Sequence, residues 1–148
     1  MRLIKGMKMK IKEYFETTEE LLKCFKKWQP RLGLSDWNIG LALVEPNDMD
    51  ESRAGESDVQ WVNKCGTISI LKKEYMPKDM LIKQPHESTL IHEMLHFKFF
   101  MAEPNSLEQF YHDTFQHQLL EELAKALFLA EYNLPPKWFA NVNSEDKE

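Results

Sequence analysis

"TLIHEMLHFKFF", residues 89 to 100, is the stretch on which the reading of this chain turns. In an α-helix, residues four apart project from the same face. His92 and His96 therefore set two imidazoles side by side, and neutral imidazole is a common zinc ligand. Glu93 stands about 100° round the helix from His92. There its carboxylate meets a water on a metal rather than the metal itself. Zinc brings the pKa of such a water toward 7, and a carboxylate can take the proton as the water attacks a carbonyl. The same carboxyl can later return the proton to a leaving amine. Thr89, Leu90, Ile91, Met94, Leu95 and Phe97 are all uncharged, so the histidines sit in an apolar helix. Buried polar groups need partners. The plainer alternative is a helix whose histidines only hydrogen-bond to their neighbours.

Working outward, "TTEELLKCFKKWQPRLG" reads as a helix. Thr17 caps it, Glu20 completes a capping box, and Leu21, Leu22, Phe25 and Trp28 form its apolar stripe. Pro30 and Gly33 mark its end. "SDWNIGLALVE" alternates at strand period, with Trp37, Ile39, Leu41 and Leu43 on one face. "PNDMDESRAGESD" is a polar loop. Two short strands follow, around Val59 to Val62 and from Thr67 to Leu71, joined through Asn63 and Gly66 in a hairpin turn. A loop with Pro77 and Pro85 leads into the opening helix, which Pro104 and Asn105 break. Ser106 caps a second long helix reaching about Tyr132, closed by Pro135 and Pro136. The order is helix, strand, strand pair, helix, helix: an α+β domain with a small sheet against helices.

A catalytic zinc takes three protein ligands and keeps a fourth position open. The downstream candidates are His112, Asp113, His117, Glu121 and Glu122. His112 and His117 are five apart and point roughly 140° away from each other on a helix, so they cannot chelate together. Leu119, Leu120, Leu123, Leu127 and Ala130 read as the buried stripe. Glu121 borders it on the side of His117, Ala124 and Phe128. Glu122 borders the other side, where Lys125 suits a solvated ion pair. Helix geometry leaves the choice open.

"TLIHEMLHF" resembles the active-site helix of the zincin metallopeptidases over Thr89 to Phe97, with Lys98 departing from the usual apolar residue. The longer metzincin pattern HExxHxxGxxH is absent, since Phe99 stands at its glycine and Glu103 falls one beyond its third histidine. "LLEELAKALFLAEYNLP" resembles the glutamate helix of the small gluzincins, in particular ImmA/IrrE-type peptidases. There a ligand glutamate is followed by alanine three residues on, then by an apolar run ending in Leu-Pro. Glu121, Ala124, Phe128, Leu134 and Pro135 fit that register, with Lys125 where an asparagine is usual. The resemblance implies a zincin-like single domain, one zinc per chain held by His92, His96 and Glu121, and Glu93 as general base. Glu122 and His117 remain alternatives for the third ligand, and His117 could instead stabilise the oxyanion. "CGTISIL" resembles the zincin edge strand, which holds a peptide substrate by backbone pairing. The order of strand and HExxH is also similar to SprT-like proteases, whose cysteine zinc ribbon is not evident here.

The 148 residues make one domain with a real core, with 43% apolar, 11% aromatic and 29% charged residues. The domain is expected over 17–140, after a basic arm or edge strand at 1–16 and before a disordered acidic tail at 141–148. A net charge of −5 speaks against nucleic-acid binding except through that arm, with Arg2, Lys5, Lys8, Lys10 and Lys12. No apolar run nears the roughly 20 residues that cross a bilayer. Cys24 and Cys65, far apart and outside any CxxC, fit a reducing cytoplasm. The functional expectation is a cytoplasmic zinc metallopeptidase acting on a dedicated protein or peptide substrate. The alternatives are a non-catalytic zinc-clamped interaction module and a DNA-associated protease.

Overall fold

The computed structural model describes residues 11–49, 53–99 and 106–140, with 106–113 described by their helical backbone. Residues 1–10 of the basic start, the break at Pro104 and Asn105, the cap at Ser106 and the acidic tail lie outside the described residues or side chains, whereas residues 11–16 of the expected arm form no strand, and Phe15 joins the core. The chain is a small mixed α+β fold. Three helices, α1 (Thr18–Arg31), α2 (His86–His96) and α3 (Ser106–Tyr132), accompany β1 (Asn38–Val44), β2 (Gly55–Gln60) and β3 (Cys65–Leu71). None of the described helices is long and apolar enough to cross a membrane.

α1 starts where the sequence says it should. Thr17 accepts a hydrogen bond from the Glu20 backbone N–H at 3.2 Å, and Glu20 reaches back to the Glu16 N–H. Its buried face is Leu21, Cys24, Phe25 and Trp28; Leu22, expected in the stripe, is exposed. Leu21, Phe25 and Trp28 follow the i, i+4, i+7 line, and Cys24 lies on that face while Leu22 turns away from it. Pro30 is tolerated inside the last turn, and Gly33 follows at φ +69°, a left-handed conformation that glycine adopts without steric cost.

The sheet order is β1-β3-β2. β3 runs parallel to β1, with Leu41 opposite Ile68, and antiparallel to β2, with Ser57 opposite Ile68. Two expectations change here. The second strand is Gly55–Gln60, not Val59–Val62; residues 61 to 64 form the turn, with Val62 at its exposed tip and Lys64 at φ +49°. Its polar sequence GESDVQ hid it, because only alternate residues face the helices. And β3, expected as an edge with an open side, is the central strand, bonded on both sides. The edge strand next to α2 is β2.

The alternation of β3 sorts the two faces. Ile68 and Ile70 enter the core with Leu90, Ile91, Met94, Leu120 and Phe128, whereas Thr67 is exposed. Gly66 lies on the helix side because Phe97 packs on it: an added Cβ would meet the Asp58 carbonyl at 2.2 Å and the Phe97 ring at 2.7 Å. Phe97 also packs edge-on to Trp37 and ends α2 one residue past His96, well before Pro104.

Two buried polar groups at the start of α2 fix its position. His86 Nδ1 accepts from the Phe15 N–H at 2.8 Å, and its Nε2 donates to the Leu71 carbonyl at 2.9 Å. The neutral ring thus ties the segment before α1, the end of β3 and the first turn of α2. Glu87 is 4% exposed and receives bonds from Trp28 Nε1 at 2.8 Å, from the Lys27 ammonium at 2.7 Å and from the Tyr132 hydroxyl. One carboxylate therefore joins α1, α2 and α3. Burial works against the Lys27 charge, but its bonds to Glu87 and Tyr132 prevail and hold its pKa above the usual lysine range. Burial and the bond to Glu87 push the Tyr132 hydroxyl up to about 12.

Glu87→Ala leaves the Lys27 ammonium and Trp28 N–H without their buried partner and should cost about 3–5 kcal/mol, read as a lowered urea midpoint; an unchanged midpoint would refute the role. For His86, burial holds the pKa down at about 4, against about 6.5 in the unfolded chain. Between these values the unfolded state binds the extra proton. The contribution is therefore complete above about pH 6.5 and declines toward pH 4, by up to about 3 kcal/mol. His86→Gln should flatten this part of the stability–pH curve relative to wild type.

Candidate metal centre

α2 and α3 pack side by side, and the site forms between them. The buried stripe of α3 is Leu120, Ala124 and Phe128, all with no accessible surface. Leu119, expected in that stripe, is 48% exposed, and Ala130 is exposed too. The helix is therefore rotated from the sequence-derived orientation. That rotation carries His117 and Glu121, one turn apart, to the side facing α2, and leaves Glu122 exposed.

Ligand nitrogens of His92, His96 and His117 all lie within 4.8 Å of one another. The ring centroids are 5.2 Å apart for His92 and His96, 5.6 Å for His92 and His117, and 5.0 Å for His96 and His117. Four-coordinate zinc holds nitrogens at about 2.0–2.1 Å, hence about 3.3 Å from each other, so the three would have to close in by side-chain rotation to share one ion. The donor chemistry fits as well. Burial first, then electrostatic repulsion from its neighbours His92, His117 and Arg53, pushes His96 down to about 4, leaving a neutral ring with a lone pair near pH 7. Three imidazoles suit zinc and other borderline divalent metals.

Glu121, the ligand implied by the resemblance, lies beside this cluster. Its Oε2 accepts a hydrogen bond from His92 Nδ1 at 2.8 Å, and its Oε1 lies 3.7 Å from Lys125 Nζ. Lys125, expected to pair with Glu122, pairs with Glu121 instead. The bond from His92, more than burial opposes, holds the Glu121 carboxyl below the usual carboxylate range. His112 and Asp113 lie on α3 with side chains outside the described residues.

Glu93 is on the inner side, 6% exposed, with Oε1 4.0 Å from His92 Nε2. Burial raises its pKa, against the opposing effects of His92, a hydrogen bond from Ser57 and the charge of Arg53. A buried carboxylate whose pKa is raised by desolvation is suited to accept a proton. The sequence reading missed Ser57 and Arg53. Their nearness follows from the register of β2, which runs through a stretch that looks like a loop. β2 reaches α2 this closely because residue 55 is glycine: a Cβ there would come 2.7 Å from Thr89 Cγ2 and 3.2 Å from Glu93 Cγ. From Glu93 outward the site opens: His92 and His96 are half-buried and His117 is exposed.

Gly55→Ala should therefore destabilise the protein by about 1–3 kcal/mol through overpacking, and adding Thr89→Ser, which removes the clashing methyl, should recover much of the loss in urea unfolding. Equal midpoints for wild type and Gly55→Ala would count against this close approach. Comparison with family models, with curated proteins and with solved structures finds no match to this chain.

Proposed function

We propose that this protein is a zinc-dependent metallopeptidase whose metal is held by His92 and His96 of α2 and His117 of α3, with Glu93 as general base. The observation that carries the reading is the meeting of three histidine nitrogens beside a buried, hydrogen-bonded glutamate, on an HExxH helix. When bound, zinc supplies a Lewis acid that polarises a substrate carbonyl and acidifies a water. The chain's own residues do the rest. Glu93 Oε1, beside His92, takes a proton from the attacking water and hands it to the departing amine nitrogen. The raised pKa of Glu93 strengthens it as the base in the first half of that transfer. Ser57 steadies the carboxylate from β2. With His117 as a ligand, oxyanion stabilisation is not its task.

A peptide substrate fits the edge of β2. Its outer side carries no strand partner among the described residues, and its first residues lie on α2 beside Glu93. An extended peptide would add there by backbone pairing, at the strand whose first residue approaches Glu93. The half-open site favours catalysis over a closed clamp. A second reading has support of its own: all three histidines come from α2 and α3, so a metal would also cross-link two helices, as in a zinc-stabilised interaction module.

Glu93→Gln separates the two. On the peptidase reading the variant retains about one zinc per chain by mass spectrometry and loses cleavage of unfolded casein or a quenched-peptide library by about 10²-fold or more. Zinc retained by both proteins with no cleavage by either would favour the clamp. Cleavage that survives Glu93→Gln at the wild-type rate would overturn the mechanism, and wild-type protein that binds no zinc would overturn both.

A further inference from the structure

We infer that Glu121 is a positioning residue rather than a ligand: its carboxylate fixes the tautomer and the ring orientation of His92, and so determines which nitrogen faces the metal. The inference rests on the metal site proposed above. It departs from the gluzincin resemblance, in which the corresponding glutamate binds the ion itself.

The argument begins from donors and acceptors. An ionised carboxylate only accepts hydrogen bonds, and neutral imidazole has one N–H and one lone pair. Glu121 Oε2 stands 2.8 Å from His92 Nδ1, so Nδ1 carries the hydrogen and Nε2 keeps the lone pair. Nε2 is also the nitrogen on the side of Glu93, 4.0 Å from its Oε1. The proton acceptor and the ligating nitrogen thus fall on the same side of the ring, as the proposed chemistry requires.

The second carboxylate oxygen is engaged as well, 3.7 Å from Lys125 Nζ, while Lys125 lies over the Phe139 ring at 5.5 Å. His117, Glu121 and Lys125 are spaced four apart and form one line along α3. Successive turns of that line supply a ligand, an acid that orients a ligand on the neighbouring helix, and a cation that holds the acid. Moving Glu121 onto the ion would break its bond to His92 and its pairing with Lys125. Carboxylate–histidine–metal relays of this kind raise the basicity of the ligand, and losing the carboxylate costs about 10–100-fold in metal affinity.

The test uses the full chain and two probes, zinc competed against a chromophoric chelator and cobalt(II) followed by its visible absorption. Glu121→Ala and Glu121→Gln should each still bind one metal per chain with the wild-type cobalt band positions. The zinc Kd should rise by about 10–100-fold for Glu121→Ala and by less for Glu121→Gln, whose amide oxygen can still accept from Nδ1. His117→Ala should shift the cobalt bands, as loss of a ligand does. Far-UV circular dichroism of the metal-free variants checks that each is folded. If Glu121→Ala shifts the cobalt bands and His117→Ala does not, Glu121 is the ligand and the inference is overturned. Unchanged zinc affinity in folded Glu121→Ala overturns it as well. Wild-type protein that binds neither metal overturns the metal site itself, a result distinct from both.

Discussion

The carboxylate of Glu87 is the point about which the three helices are arranged. It lies in the first turn of α2, where a negative charge is favoured by the helix dipole. Its two oxygens take an indole N–H and an ammonium from α1 and a phenol hydroxyl from α3. A buried charge is costly unless it is paired and hydrogen-bonded, so the bundle has one low-energy arrangement that satisfies it. His92 and His96 follow on the same short helix, and His117 lies on the helix that Tyr132 anchors. The position of the histidines relative to one another thus depends on a contact in which none of them takes part.

α2 makes this dependence strict. It has eleven residues, and eight of them are buried. Leu90, Ile91 and Met94 have no accessible surface, and the sheet approaches on the side of Gly55. A helix enclosed in this way cannot slide or turn to suit a ligand, so adjustment falls to side-chain torsions and to α3. Electrostatics divide the site along the same line. The inner carboxyl, Glu93, is shifted by desolvation, whereas the outer one, Glu121, is governed by the imidazole it binds. Two acids of the same type thereby acquire different roles.

Much of this was legible in the sequence. The capped start of α1, the alternation of β1 and β3, the presence of α2 and α3 and the spacing of His92 and His96 all follow from local chemistry, and the α+β class follows from them. What was not legible depended on pairing over distance. β2 reads as a loop because Glu56, Asp58 and Gln60 face away from the helices, and an edge strand with a solvated face needs few apolar residues. The rotation of α3 could not be derived from its apolar residues, since leucine and alanine occur nearly all round the helix. Phe128 and Ala124 define the inner face only once α2 is in place. His86 and Glu87 read as ordinary polar residues before an apolar run. Their partners are 15 to 71 positions away, at Phe15, Leu71, Trp28 and Tyr132.

Among the described residues, alternate positions of β2 and β3 face the helices and water, and this divides the strands into two classes of position. Ser57 and Ile68 meet helices, while Asp58 and Thr67, their immediate neighbours in the chain, meet water. Tolerance of substitution should therefore alternate residue by residue along β2 and β3. Over evolutionary time the outer positions are free to drift in charge and polarity, and relatives of this chain could differ at every second strand residue while the inner register stays the same. Likeness along the strands would then be sought at alternate positions, and similarity scored over contiguous residues would understate it.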